Sequence, residues 1–358
     1  MVPKQMTAVA KTKSAPGGEL ITVDVPHIKP HEVLVKVHAT AICGTDAHIY
    51  KWNPWAQKRI RTIPQIMGHE LAGEVVEIGR AVATVNIGDY VSAETHIPCG
   101  KCKQCLTDQQ HICANLEILG VDRDGCFAEY IAVPEKVIWK NNPSLPLDVA
   151  AAQEPLGNSI YCTLVEPVTG KSVVIFGDGP TGLLSVGVAK TSGAAQVILV
   201  GLDNFLMNIG KKMGADHVLH GHNDNIQQKV LDFTGGYGAD VVLEMAGTKE
   251  TITLGLQVVR KGGRFCAFGL PPSSVSVDFS NDIIFKGLTL YGINGRLMFD
   301  TWFKAKDLLQ SGRLNIKPVI THHFPLTDFE KAFSLMLAQP RASGKIVLYP
   351  DPSKMPKS

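Results

Sequence analysis

The chain has 358 residues, 45% of them apolar and 19% charged, a balance that suits a folded protein of about two domains. Its formal net charge is +2, with lysines and arginines dispersed, so neither a nucleic-acid footprint nor an attraction to anionic membranes is indicated. The most apolar stretch, Ser172 to Val200, is broken by Asp178, Pro180 and Lys190 and is no candidate for spanning a bilayer.

The N-terminus, MVPKQMTAVAKTK, places Lys4, Lys11 and Lys13 where a signal peptide needs an apolar core. A cytoplasmic location is expected. Thiols stay reduced there, which argues against disulfides.

The part before residue 157 reads as strands and turns. "AICGTDAHIYKWNPWAQ" holds Cys43, and "IMGHELAGEVVEIG" holds His69 and Glu70 after a glycine. "AAAQEPLGNSIYC" holds Glu154, with Pro155 biasing it toward extended backbone. One thiolate, one imidazole and one or two carboxylates can bind zinc and leave a position open for water or substrate. A lone His or Cys is more often structural than ligating, so these residues alone leave the matter open.

Between them lies "CGKCKQCLTDQQHIC", in which Cys99, Cys102, Cys105 and Cys113 are spaced C-x2-C-x2-C-x7-C. A looping backbone with these separations can bring four sulfurs round one zinc ion. Iron–sulfur clusters use similar spacings, but the proline that follows a fourth cysteine in one such motif is absent. Unligated thiols are the plain alternative. A four-sulfur zinc site has no open position, so its role is to pin a loop that lacks a core.

"KSVVIFGDGPTGLLSVGVAKTSGA" then gives an apolar run, a G-x-G-x-x-G turn and a helix-like stretch, with the strand-like "QVILV" next in the chain. In that order the turn is a dinucleotide signature. Gly177, Gly179 and Gly182 allow a tight turn and close approach to a pyrophosphate, and Pro180 and Thr181 open the helix. "HVLHG", "ADVVLEMAG", "GGRFCAFG" and "LTLYGINGR" continue the alternation, which predicts a doubly wound parallel sheet over about 157–295. The tail, with helix-like "DTWFKAKDLLQSG" and strand-like "GKIVLY", is expected to return to the first domain.

Together, G-H-E at 68–70, the four-cysteine loop, Q-E-P-L at 153–156 and the glycine turn resemble the medium-chain, zinc-dependent alcohol dehydrogenases, over nearly the whole chain. Longer stretches, "CGTDAHIYKWNPWAQ" and "GINGRLMFDTWFKAKDLLQSG" among them, are similar to the branch of that family that oxidises threonine. The resemblance implies a β-rich GroES-like catalytic domain at 1–156, a Rossmann-type domain at 157–295 and a return at 296–358. It implies hydride transfer from a secondary alcohol to NAD, two Zn2+ ions per chain and a homotetramer. Cys43, His69 and Glu70 or Glu154 would hold a catalytic zinc, and Cys99, Cys102, Cys105 and Cys113 a structural one. The Thr45 hydroxyl and His48 look like a proton relay, while His96 and Arg296 would meet a substrate carboxylate.

Four departures stand out: Lys51 and Pro54 replace familiar acids, Asn294 interrupts a familiar Gly-Ile-x-Gly-Arg pattern, and Gly201 stands where the second strand usually ends in an acid. Glycine there can make room for a 2′-phosphate, which leaves NADP open. No cation is close behind it in the chain, so Asp203 is the acid expected on the ribose, and NAD is expected over NADP. A polyol dehydrogenase with the same machinery is one alternative. A non-catalytic zinc-bearing binding protein is another.

Overall fold

Alternating and continuous apolar runs fold here into different sheets. The computed structural model describes residues 1–356. Two compact units emerge: one of residues 1–154, 320–339 and the C-terminal stretch from Lys345, the other of residues 155–319 and 340–344.

The first unit is built on a seven-stranded sheet in the order Ile138–Lys140, Tyr90–Ala93, Glu70–Ile78, Glu32–Ala41, Lys345–Tyr349 and Ile320–Pro325, with Tyr130–Pro134 also pairing with Glu32–Ala41. Val33, Val35, Val75, Val91 and Ile131 fill its core. Ala41 pairs with both Glu70 and Val347, so the register of this sheet brings three strands together at one point.

The second unit holds six parallel strands in the order His217–His220, Gln196–Gly201, Ser172–Phe176, Ala239–Glu244, Val259–Ala267 and Thr289–Gly292. Central strands of such a sheet are covered on both faces, which is why Val173, Val174, Ile175 and Phe176 are all apolar and all fully buried. The order reverses beside Ser172–Phe176, and the glycine turn leaves the carboxyl end of that strand. Ligands of open parallel sheets bind at such a point.

The tail differs from expectation. Residues 296–319, including the helix Asp300–Gln310, stay in the second unit, and the return begins at Ile320. The helix buries Thr301, Trp302 and Ala305. The strand Ile320–Pro325 rejoins the first unit through parallel pairing with Lys345–Tyr349.

Candidate metal and dinucleotide sites

In the first unit, sheet register assembles one donor set. Cys43 lies two residues beyond the strand Glu32–Ala41, and Glu70 opens the strand Glu70–Ile78 that pairs with it. Ligand atoms of Cys43, His69 and Glu70 all lie within 4.8 Å of one another. The turn before them is tight: Gly68 has φ +88°, and a Cβ there would stand 2.1 Å from the Phe127 ring.

Asp46, not among the expected ligands, ties the set together. It is fully buried, accepts from the Cys43 amide at 2.9 Å and the Gly68 amide at 3.2 Å, and lies 3.5 Å from His69 Nδ1. A proton on Nδ1 would face this carboxylate and leave the Nε2 lone pair for a metal. Burial works against charge on His69, but Asp46 and Cys43 outweigh it and hold the imidazole pKa well above its ordinary value. The same negative field favours a bound cation.

Lys345 is a second residue that no local pattern announced. Its Nζ donates to both Glu70 carboxylate oxygens, at 2.8 and 2.9 Å, and to the Ile42 carbonyl at 3.1 Å. Burial raises the Glu70 pKa, and Lys345 works against that rise. Glu154 is buried and close enough to act electrostatically on Glu70 and Lys345, but it is not one of the three clustered donors. Its backbone is not extended. It sits in the first turn of the helix Gln153–Leu164, where Pro155 costs no hydrogen bond.

Thr45 and His48 lie on the helix Gly44–Lys51 that starts at Cys43. Thr45 is half-buried. His48 is exposed, with Nδ1 2.8 Å from Asn53 Nδ2. Partial desolvation, then the Lys51 charge, lower its pKa. His96 is buried on the short strand His96–Ile97, its amide donating to Glu94. Arg296 is fully enclosed in the second unit and donates to Asn158 Oδ1 at 2.9 Å.

Cys99, Cys102, Cys105 and Cys113 converge as a second cluster. The Cys102 sulfur is 3.5 Å from that of Cys105 and 3.7 Å from that of Cys113. Four sulfurs at about 2.3 Å from one zinc ion stand about 3.8 Å apart, so the cluster has the size of a tetrahedral thiolate site. Backbone N–H groups of Lys101 and Cys102 help lower the Cys99 pKa to about 6. All eight cysteines are free of disulfides.

In the second unit, the glycine turn fits a pyrophosphate. Gly177 has φ +112°, and a Cβ on Gly182 would stand 1.9 Å from the Gly177 carbonyl oxygen. Gly179 is the N-cap of the helix Pro180–Thr191, with Pro180 and Thr181 in its first turn and no atom closer to a Gly179 Cβ than Arg341 Nη1 at 3.9 Å. Two expectations change here. The space at Gly201 is filled by the Asp178 carboxylate, and Asp203 Oδ1 accepts from the Arg341 amide at 3.0 Å.

Residues 29–143 match the alcohol dehydrogenase GroES-like domain, and residues 180–311 match the zinc-binding dehydrogenase domain. The chain is 52% identical to L-threonine 3-dehydrogenase of Pyrococcus abyssi over 96% of its own length and 98% of that protein. It is 44% identical to the enzyme of that name from Bacillus subtilis, covering 97% and 99% of the two chains. A zinc-binding dehydrogenase of Sinorhizobium meliloti bound to NADP superimposes with a TM-score of 0.89 at 29% identity, over 97% of this chain and 100% of that one. The 2R,3R-butanediol dehydrogenase of Bacillus subtilis does so with a TM-score of 0.88 at 25% identity, over 97% and 100%.

Proposed function

We propose, from the premise that this chain belongs to the zinc-dependent alcohol dehydrogenase family, that it oxidises L-threonine at its secondary alcohol to 2-amino-3-ketobutyrate. The chain is an oxidoreductase that passes a hydride from an alcohol carbon to a nicotinamide dinucleotide. The observation that carries the substrate is near-full-length identity to L-threonine 3-dehydrogenases in a chain whose metal-donor clusters are complete.

Two zinc ions per chain are proposed. Cys99, Cys102, Cys105 and Cys113 would hold one and pin their loop. Cys43, His69 and Glu70 would hold the other, with Glu154 exchanging with Glu70. Bound there, zinc would supply a Lewis acid that lowers the pKa of the substrate alcohol. The Thr45 hydroxyl, able both to accept and to donate, takes the alcohol proton and passes it to His48, which Asn53 orients toward solvent. His96 and Arg296 are proposed to meet the substrate carboxylate. Arg296 must be uncovered to do so, since it is enclosed and held on Asn158.

NAD is proposed as the coenzyme, and the assembly as a homotetramer in the cytoplasm. The tetramer is supported by apolar side chains left exposed on the second unit, Leu290 on the edge strand and Phe285 beside it. Among the described residues no helix is long and apolar enough to cross a membrane.

The test is coenzyme reduction with L-threonine, L-serine, 2,3-butanediol and sorbitol. L-Threonine is expected to give the highest kcat/KM. A higher value for butanediol or sorbitol would replace the threonine reading with the polyol one, and zinc binding without dinucleotide affinity would favour a non-catalytic protein.

A further inference from the structure

The glycine turn and the second strand of the parallel sheet meet at one point. Phe176 pairs with Val200, and the Gly177 amide donates to the Val200 carbonyl at 2.9 Å. Asp178, the next residue, therefore lies beside Gly201, at the end of the second strand. The side chain is buried to 8% exposure. Its Oδ2 accepts from the Leu202 amide at 2.8 Å and the Asp203 amide at 2.9 Å, and among the described residues Oδ1 takes no bond.

Gly201 is not one of the glycines with positive φ, so its backbone does not demand glycine. Space does. A Cβ at 201 would stand 2.5 Å from Asp178 Oδ2, 2.7 Å from its Cβ and 2.8 Å from its Cγ. The two residues are complementary: one withdraws its side chain from the volume that the other's carboxylate fills.

We infer that Asp178 is the coenzyme-selecting residue of this enzyme, its carboxylate reaching across from the glycine turn to the place where a strand-end acid ordinarily meets the adenosine ribose. The inference rests on the reading that the second unit binds a nicotinamide dinucleotide. A carboxylate in that place accepts from ribose hydroxyls and repels a 2′-phosphate. The two backbone N–H groups that could cradle such a phosphate are already taken by Oδ2. Asp203 is turned to the Arg341 amide and does not substitute. Lys211 and Lys212 lie at the far end of the helix Asn204–Lys212. The Arg341 side chain lies beside Gly179, its Nη1 3.9 Å from where a Cβ would stand there, where the pyrophosphate common to both coenzymes belongs.

The experiment measures Kd for NADH and for NADPH by calorimetry on the zinc-loaded protein, in the wild type and in Asp178→Asn, Asp178→Ser and Arg341→Ala, with thermal melting of each. The wild type is expected to bind NADH at least tenfold more tightly than NADPH. Asp178→Asn removes the charge alone and should narrow that ratio roughly tenfold, the scale of one charge-assisted hydrogen bond. Asp178→Ser, smaller than the native side chain, reads the same ratio if the asparagine variant does not fold. Arg341→Ala should weaken both coenzymes alike. An unchanged ratio in an Asp178 variant that melts cooperatively would overturn the assignment. So would a wild type that prefers NADPH, while leaving dinucleotide binding intact. A wild type that binds neither coenzyme would overturn the assignment and the reading beneath it.

Discussion

Lys345 Nζ donates to both carboxylate oxygens of Glu70, at 2.8 and 2.9 Å, across 275 residues of chain and with both side chains buried. Glu70 is at once a member of the Cys43, His69 and Glu70 donor cluster and one half of an enclosed ion pair. A metal ion bound by that cluster would share its charge with the lysine. Removing either neighbour leaves the other to carry a buried carboxylate.

Lys345→Met should therefore destabilise the protein by about 3–5 kcal/mol, because an unpaired buried charge costs far more than the pair contributes. The Glu70→Gln, Lys345→Met double variant should recover a large part of that loss. Urea denaturation of the metal-free proteins, in which no cation compensates Glu70, checks both. Equal stability of the single and double variants would show that the pair is not coupled.

Cys102→Ser should leave one zinc per chain by elemental analysis, where the wild type is expected to hold two. The loop from Cys99 to Cys113 buries little besides its sulfurs and His111, so losing its ion should cost stability. A loss of roughly 3 kcal/mol, or about 6–12 °C in Tm, is expected. A variant with one zinc and an unaltered Tm would remove the structural role from this cluster.

Thr45→Ala should retain both zinc ions and lower kcat by about 100-fold, the lower range of what a positioned proton-transfer group supplies. Thr45→Ser should restore most of the rate, since the hydroxyl is what the relay needs. Rates that match the wild type at every pH would remove Thr45 from the proton path.

The pH profile tests His48. A base in the relay has to be neutral, and partial desolvation with Lys51 lowers its pKa from the ordinary histidine value of about 6.5. The sign is then fixed: kcat/KM is held above that value and falls as pH drops through a pKa below about 6.5. In His48→Gln this acid limb should disappear and the plateau should be lower. A limb of the same shape in the variant would assign it to another group.

How much of the fold and the sites is legible in the sequence depends on how far apart the interacting residues lie along the chain. The four-cysteine loop places its thiols within fifteen residues, so its spacing alone predicts the cluster that the structure forms. The glycine turn is equally local. An apolar run, then glycines and a helix start, prescribes a strand, a tight turn and a helix N-terminus, and all three are present, with φ +112° at Gly177. Asp46 was within reach, in the same C-G-T-D stretch as Cys43, but nothing in its type says whether a carboxylate turns inward or to water.

The remainder was decided by pairing between distant strands. Chain periodicity states which face a strand buries, not which strand lies beside it. Register between Ala41, Glu70 and Val347 is what sets Lys345 against Glu70. Parallel pairing of Phe176 with Val200 is what sets Asp178 in the space that Gly201 leaves, where the sequence alone reads an opening for phosphate. Residues 296–319 belong with the parallel sheet, which no local pattern of the tail distinguishes from a return to the first unit. Composition and spacing determined the two kinds of sheet, the thiolate cluster and the dinucleotide turn, since each is written in contacts a few residues apart. Only the tertiary structure decided which charges share a buried site, because a buried charge is defined by neighbours that arrive from elsewhere in the chain.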